Sequence, residues 1–146
     1  MERGREASVI VCDDVRTEMT GKLIVIGVYT TDIAIFSDEQ MSPQLQFLFY
    51  AECDHSDPFK SIKFEVQLPG EKPAFVETAN LPPPPPITSG RSRSYIRQLL
   101  TVAPATLRPG KITARVVHDR GEIPVSAGWI RKIDRPNAPT TFVATP

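Results

Sequence analysis

Fifteen prolines are spread along this chain, and most fall between its apolar runs rather than inside them. Proline lacks the backbone N–H and fixes φ, so it penalises helix interiors and central strands alike. Used as punctuation, it cuts the chain into short segments and favours many short strands over long helices. The segments carry the matching pattern. Ile62, Phe64, Val66 and Leu68 alternate with Lys63, Glu65 and Gln67 across Lys60–Leu68. A period of two sends one set to a core face and the other to water. A helix would smear the same residues around its circumference. Burying each of the four apolar side chains contributes roughly 1.5–3 kcal/mol before entropy is subtracted.

Other runs extend the pattern. Val9–Val15 and Leu23–Thr30 are rich in Val and Ile and read as strands, with Gly21-Lys22 supplying the turn. Ile33–Phe36 is a candidate short strand, and Ser37–Pro43 reads as a polar loop. Gln44–Cys53, Ala74–Thr78 and Arg91–Ala103 add further strands, although the spacing of the last also suits a short helix. Lys111–His118 and Glu122–Ile133 read as a hairpin around Asp119-Arg120-Gly121. Ile123, Val125, Ala127 and Trp129 alternate on its second arm, which places Trp129 in the core. No helical pattern is present to cover a parallel sheet, and no internal repeat is visible. The expected fold is all-β: a two-layer, immunoglobulin-like antiparallel β-sandwich of about eight or nine strands. It spans residues 1–136 as one domain, with 82–90 as a Pro-rich connecting loop and 137–146 as a flexible C-terminal tail.

The totals narrow the function classes. Seventeen basic and seventeen acidic side chains cancel, so no global field draws in nucleic acid or anionic lipid. Met1–Glu6 has no apolar core of a secretory signal, and Leu23–Tyr29 is too short to span a bilayer. Two cysteines, Cys12 and Cys53, make neither a disulfide framework nor a zinc site. The expectation is a cytoplasmic protein with reduced thiols, no membrane association and no cofactor. A disulfide between the two stays open, because their separation in space is not given by spacing.

Several polar groups are candidate sites. Asp13, Asp14, Arg16, Glu18 and Lys22 gather at one end of the first two strands. Paired carboxylates can hold a divalent cation. Adjacent strand residues point to opposite faces, however, so the better expectation is that Asp14 and Arg16 pair on one face. Asp54-His55-Ser56-Asp57 contains the ingredients of nucleophilic catalysis. Four successive loop residues rarely converge as a triad, and no Gly-x-Ser-x-Gly elbow is present. His55 with His118 lacks metal-ligand spacing. Pro82–Pro86 forms a polyproline II rod, read as a stiff connector. Arg91, Arg93 and Arg97, interleaved with Ser92, Ser94 and Tyr95, make a small basic patch that could meet phosphate, although salt partners on the same surface are the better expectation. Neither a dinucleotide-binding nor a Walker glycine pattern occurs.

Residues 11–29 carry Cys12, Asp13, Asp14, Val15 and Arg16, then Glu18, Gly21-Lys22 and Ile26-Gly27-Val28-Tyr29. This run resembles the opening of an uncharacterised bacterial family, a domain of unknown function. The terminal hairpin, from Leu107-Arg108-Pro109-Gly110-Lys111 through Gly121-Glu122-Ile123-Pro124-Val125, is also similar. The resemblance implies a small bacterial β-sandwich and brings no activity, cofactor or catalytic residue. Three functions follow as expectations. The first is a non-catalytic binding or assembly module whose partner is another protein. Its candidate surface comprises Asp14, Arg16, Glu18 and Lys22, or Arg91, Arg93 and Arg97, and homo-oligomers through an edge strand are compatible with it. The second is a small hydrolase using His55 with Asp54 or Asp57. The third is a weak nucleic-acid binder through Arg91–Arg97.

Overall fold

A computed structural model describes residues 4–30, 32–86 and 90–134. The expected tail at 137–146 and part of the 82–90 loop lie outside the described residues. Within them the chain is all-β, with no helix and twelve strands. None of its elements is a helix long and apolar enough to cross a membrane. The strands are β1 (Glu6–Cys12), β2 (Asp14–Thr17), β3 (Leu23–Ile26), β4 (Ile33–Ile35), β5 (Gln40–Ser42) and β6 (Leu45–Asp54). They continue with β7 (Ile62–Gln67), β8 (Ala74–Thr78), β9 (Arg93–Val102), β10 (Ala105–Leu107), β11 (Gly110–His118) and β12 (Gly121–Lys132).

Two sheets carry the fold. One has the order β1-β6-β9 and the other β4-β12-β11-β7-β8; β5 with β10 and β2 with β3 form separate two-stranded ribbons. All pairings are antiparallel except β4 with β12, which is parallel. The central strand β6 shows why the sheets meet. Leu45, Phe47, Phe49, Ala51 and Cys53, spaced by two, all point into one core cluster. That cluster also takes Ile62, Phe64 and Val66 from β7, and Ile112, Ala114 and Val116 from β11. Phe49 of the first sheet meets Phe64 of the second with ring centroids 5.2 Å apart, a tilted contact of the kind aromatic pairs prefer. On the far side of β6, Leu48 is buried between its ladder neighbours Ile10 and Leu99.

The alternation read over Lys60–Leu68 holds on its apolar side, where Ile62, Phe64, Val66 and Leu68 are all buried. Its polar side departs at Glu65, which is buried because Arg115 of β11 lies across it, Nε to Oε2 at 2.5 Å. Two further departures from the sequence reading have local causes. Twelve strands replace eight or nine because Val9–Val15 divides at Asp13 and because three-residue strands at 40–42 and 105–107 carry too little pattern to be seen. Arg91–Ala103 holds the strand expected there, β9, which pairs along its whole length with β6. Trp129 is half exposed rather than core. The register between β11 and β12 shifts between Lys111 and Thr113, so β12 carries one extra residue. Gly128 sits there with φ of 88°. An inserted residue reverses the alternation, so Ile130 turns inward and Trp129 outward.

Candidate functional site

The 11–29 run builds a hairpin, β2–β3, that leaves the body of the protein. None of its residues from 14 to 26 belongs to the shared core. Its root is held by Asp13, Gly27 and Tyr29. The Asp13 N–H donates to the Ile26 carbonyl at 3.1 Å, while Asp14 is the ladder partner of Ile26. Two residues opposite one make a bulge, which turns the chain out of β1 into β2. The Tyr29 hydroxyl donates to the Asp13 carboxylate at 2.8 Å, and the Tyr29 N–H donates to the Val11 carbonyl at 2.9 Å. Gly27 has φ of 67°, and a Cβ there would collide with the Asp13 side chain. Both the left-handed backbone and the missing side chain are therefore needed.

Burial, then the hydrogen bond and charge of Asp13, push the Tyr29 phenol up to about 12. A raised folded pKa means that this contribution to stability is fully present below the ordinary value of 10.0 and is lost as pH rises towards 12. Gly27→Ala should lower the unfolding free energy by about 1–3 kcal/mol. It should also move the ultraviolet titration of Tyr29 towards the ordinary tyrosine range. An unchanged urea midpoint together with an unchanged titration would contradict this role.

Asp14 and Arg16 pair as expected, Arg16 Nε donating to Oδ2 at 3.0 Å. Both are solvent-accessible, so the pair adds at most about 1 kcal/mol. Glu18 and Lys22 close the turn through their backbones, with Glu18 N–H on the Lys22 carbonyl at 2.8 Å. Met19 stands fully exposed at the tip. Ile24 and Ile26 are exposed at 42% and 39% on one face of β3. The body holds β2 through two glutamines. Val15 N–H donates to Gln46 Oε1 at 2.6 Å, and Gln44 Nε2 donates to the Asp13 carbonyl at 2.9 Å.

The second predicted surface is divided. Arg93 is largely buried and meets Asp54 at 3.0 Å, Glu52 at 3.5 Å and Glu6 at 3.9 Å. It also donates to the Gly4 carbonyl at 3.1 Å. Arg91 and Arg97 are exposed, so Arg93 is a structural tie between β1, β6 and β9 rather than a partner for phosphate.

His55 does reach a hydroxyl. Its Nδ1 lies 2.8 Å from Oγ of Ser94, a β9 residue that sequence spacing did not pair with it. Ladder register supplies the proximity, since Cys53 faces Ser94 and the His55 N–H donates to the Ser92 carbonyl at 2.8 Å. The predicted acidic partners are turned elsewhere. Asp54 accepts from Arg93, and Asp57 meets Arg5 and Arg120. Ser94 lines a cavity of about 250 Å³ with Phe59, Leu81, Pro84, Tyr95 and Ile96.

Arg5, absent from the sequence-level candidates, is a second tie. Its buried guanidinium lies over the Phe59 ring at 4.7 Å, donates to Asp119 at 3.0 Å and His118 Nδ1 at 2.9 Å, and donates to the Pro58 carbonyl at 3.0 Å. The two thiols are separate and free. Cys53 lies in the shared core, while Cys12 is buried opposite Gln46 at the other end of β6. Burial pushes both upward, and for Cys12 the charges of Asp13 and Asp14 add to it. Reactive cysteines have the opposite shift. Among the described residues, no group of three or more His, Cys, Asp and Glu side chains could hold a metal ion. No family model, curated protein or solved structure matches this chain.

Proposed function

We propose that this chain is a non-catalytic binding or assembly module that engages another protein through its β2–β3 hairpin. The framework we assign is an immunoglobulin-like β-sandwich. The order β1-β6-β9 against β4-β12-β11-β7-β8 supports it, because it follows the A-B-E and G-F-C pattern with β8 added beside C and β4 added beside G. The observation that carries the function is the hairpin outside the shared core. A two-stranded ribbon outside the core, with Ile24, Ile26 and Met19 exposed, has little to hold it in water alone. Its root is nevertheless fixed by Asp13, Gly27 and Tyr29. A rigid base under an apolar, charge-edged ribbon suits docking.

The test is a pull-down with tagged wild-type protein and with the variant pair Arg16→Ala and Glu18→Ala, made in one chain and checked for an unchanged unfolding midpoint. Loss of a specific captured protein supports the reading. An identical captured set removes this surface.

A second reading rests on the 2.8 Å contact between His55 and Ser94. It makes Ser94 a nucleophile and His55 its base, beside an apolar cavity. It has less support, since Asp54 and Asp57 both face arginines and leave the imidazole without an acidic orienter. Labelling of Ser94 by a fluorophosphonate probe, abolished in Ser94→Ala, would favour it; no labelling ends it. Nucleic-acid binding has the weakest support, because Arg93 is committed to carboxylates.

A further inference from the structure

We infer that the hairpin's docking partner is a second copy of this chain, joined antiparallel along the outer edge of β3. The inference rests on the docking reading above and specifies its occupant. Backbone parity shows which groups that edge offers. The Lys22 and Ile26 carbonyls accept from Glu18 and Asp13 of the facing strand. Residues alternate along a strand, so Lys22, Ile24 and Ile26 turn their backbone groups towards β2, while Leu23 and Val25 turn theirs away. On β2 the outward Val15 N–H is met by Gln46. Among the described residues no hydrogen bond reaches the outward groups of Leu23 and Val25.

The two edges are also protected differently. Strand β2 carries Asp14 and Arg16, the kind of charges that blunt edge pairing. Strand β3 reads Leu-Ile-Val-Ile, with no charge and no proline. An apolar edge of this kind is a template for another strand.

The sequence around β3 is self-complementary in one register. A two-fold axis through Val25 makes Val25 face Val25 of the second copy, which is the hydrogen-bonding position that parity requires. Ile24 then faces Ile26 of the second copy. The ladder already sets Ile26 beside Asp14 and Ile24 beside Arg16. Each apolar row across the resulting four-stranded sheet is therefore bounded by an aspartate at one end and an arginine at the other. A register centred on Ile24 would instead bound one row with two arginines and set Lys22 against Ile26. The charge pattern thus selects the Val25-centred pairing. Four strands also relieve the marginal stability of an isolated ribbon. So short a seam falls below a standard interface in area, so association is weak and rises with concentration.

Sedimentation velocity of the full chain from micromolar to millimolar concentration tests this. The wild type should shift from monomer to dimer. Val25→Pro removes only an outward N–H, and Ile24→Lys puts a charge in the apolar row; each should weaken association at least about tenfold. Phe75→Ser, on an exposed face of the five-stranded sheet, should leave it unchanged. Val25→Cys should form an intermolecular disulfide under mild oxidation, since facing Cα atoms lie within bridging range. A monomer at every concentration, or a dimer that persists in both Val25→Pro and Ile24→Lys, overturns the inference. If the wild type stays monomeric while the Arg16 and Glu18 variant loses its captured protein, the second copy is ruled out and the docking reading stands.

Discussion

Phe49→Ala should lower the free energy of unfolding by about 3–5 kcal/mol. Phe49 is fully buried on the central strand of one sheet, and its ring meets Phe64 of the other. Truncation removes that contact and leaves a cavity between two hydrogen-bonded sheets, whose backbones cannot collapse into it without breaking ladders. A domain of this size has a total stability of about 5–15 kcal/mol, so the loss would be visible as a large fall in the urea midpoint. The same change at Phe75, exposed on the outer face, should stay within about 0.5 kcal/mol. A Phe49→Ala loss below about 1 kcal/mol would show that the two sheets do not share a core.

Arg5→Ala should cost about 3 kcal/mol, the second largest effect. The side chain is 8% exposed and ties the start of β1 to the 57–58 loop and to the β11–β12 turn. Removing it leaves the Asp119 carboxylate without its guanidinium, although Lys60 N–H still donates to it at 3.0 Å. Burial alone would raise the Asp119 carboxyl, but the Lys60 N–H and Arg5 outweigh it and hold it well below the usual range. Burial, and then the charge of Arg5, lower His118 from its ordinary value of 6.5. Arg5 and the Arg120 N–H both donate to Nδ1, so this nitrogen carries no proton. Both groups have depressed folded values. Each therefore contributes stability that is present above its unfolded pKa and is lost on acidification, His118 from 6.5 downward and Asp119 from 3.8 downward. The wild-type urea midpoint should fall between pH 7 and pH 5 through His118. In Arg5→Ala that step should shrink, since His118 then takes a proton more readily. An equal pH step in both proteins would contradict this assignment.

Much of the fold was legible because burial on one face leaves a period of two in the chain. Lys60–Leu68 and the 111–133 hairpin became strands for that reason, whereas Gln44–Cys53, buried on both faces of much of its length, was legible as a long apolar run. Trp129 was misplaced because a single inserted residue at a glycine is invisible to an alternation count, yet it exchanges the two faces of everything after it. The hairpin and the Asp14–Arg16 pair were readable since both are local, with partners two residues apart. Arg5 and Ser94 were not. Arg5 bonds to residues 53, 113 and 114 positions away, and Ser94 meets His55 across 39. Such meetings follow from strand order, which no local spacing encodes. Salt partners were expected for Arg93 beside Arg91 and Arg97, but which carboxylates they are follows only from the β6–β9 register, which sets Arg93 opposite Asp54.

Hydrogen exchange resolved by residue, in dilute protein, tests most directly whether the molecule divides into a two-sheet core and a separately exposed ribbon. Amides of Phe49, Phe64 and Ala114 should exchange only through global unfolding, whereas those of Leu23 and Val25 should exchange orders of magnitude faster and slow when a partner docks. Protection at Val25 equal to that at Phe49 in the dilute monomer would contradict the division.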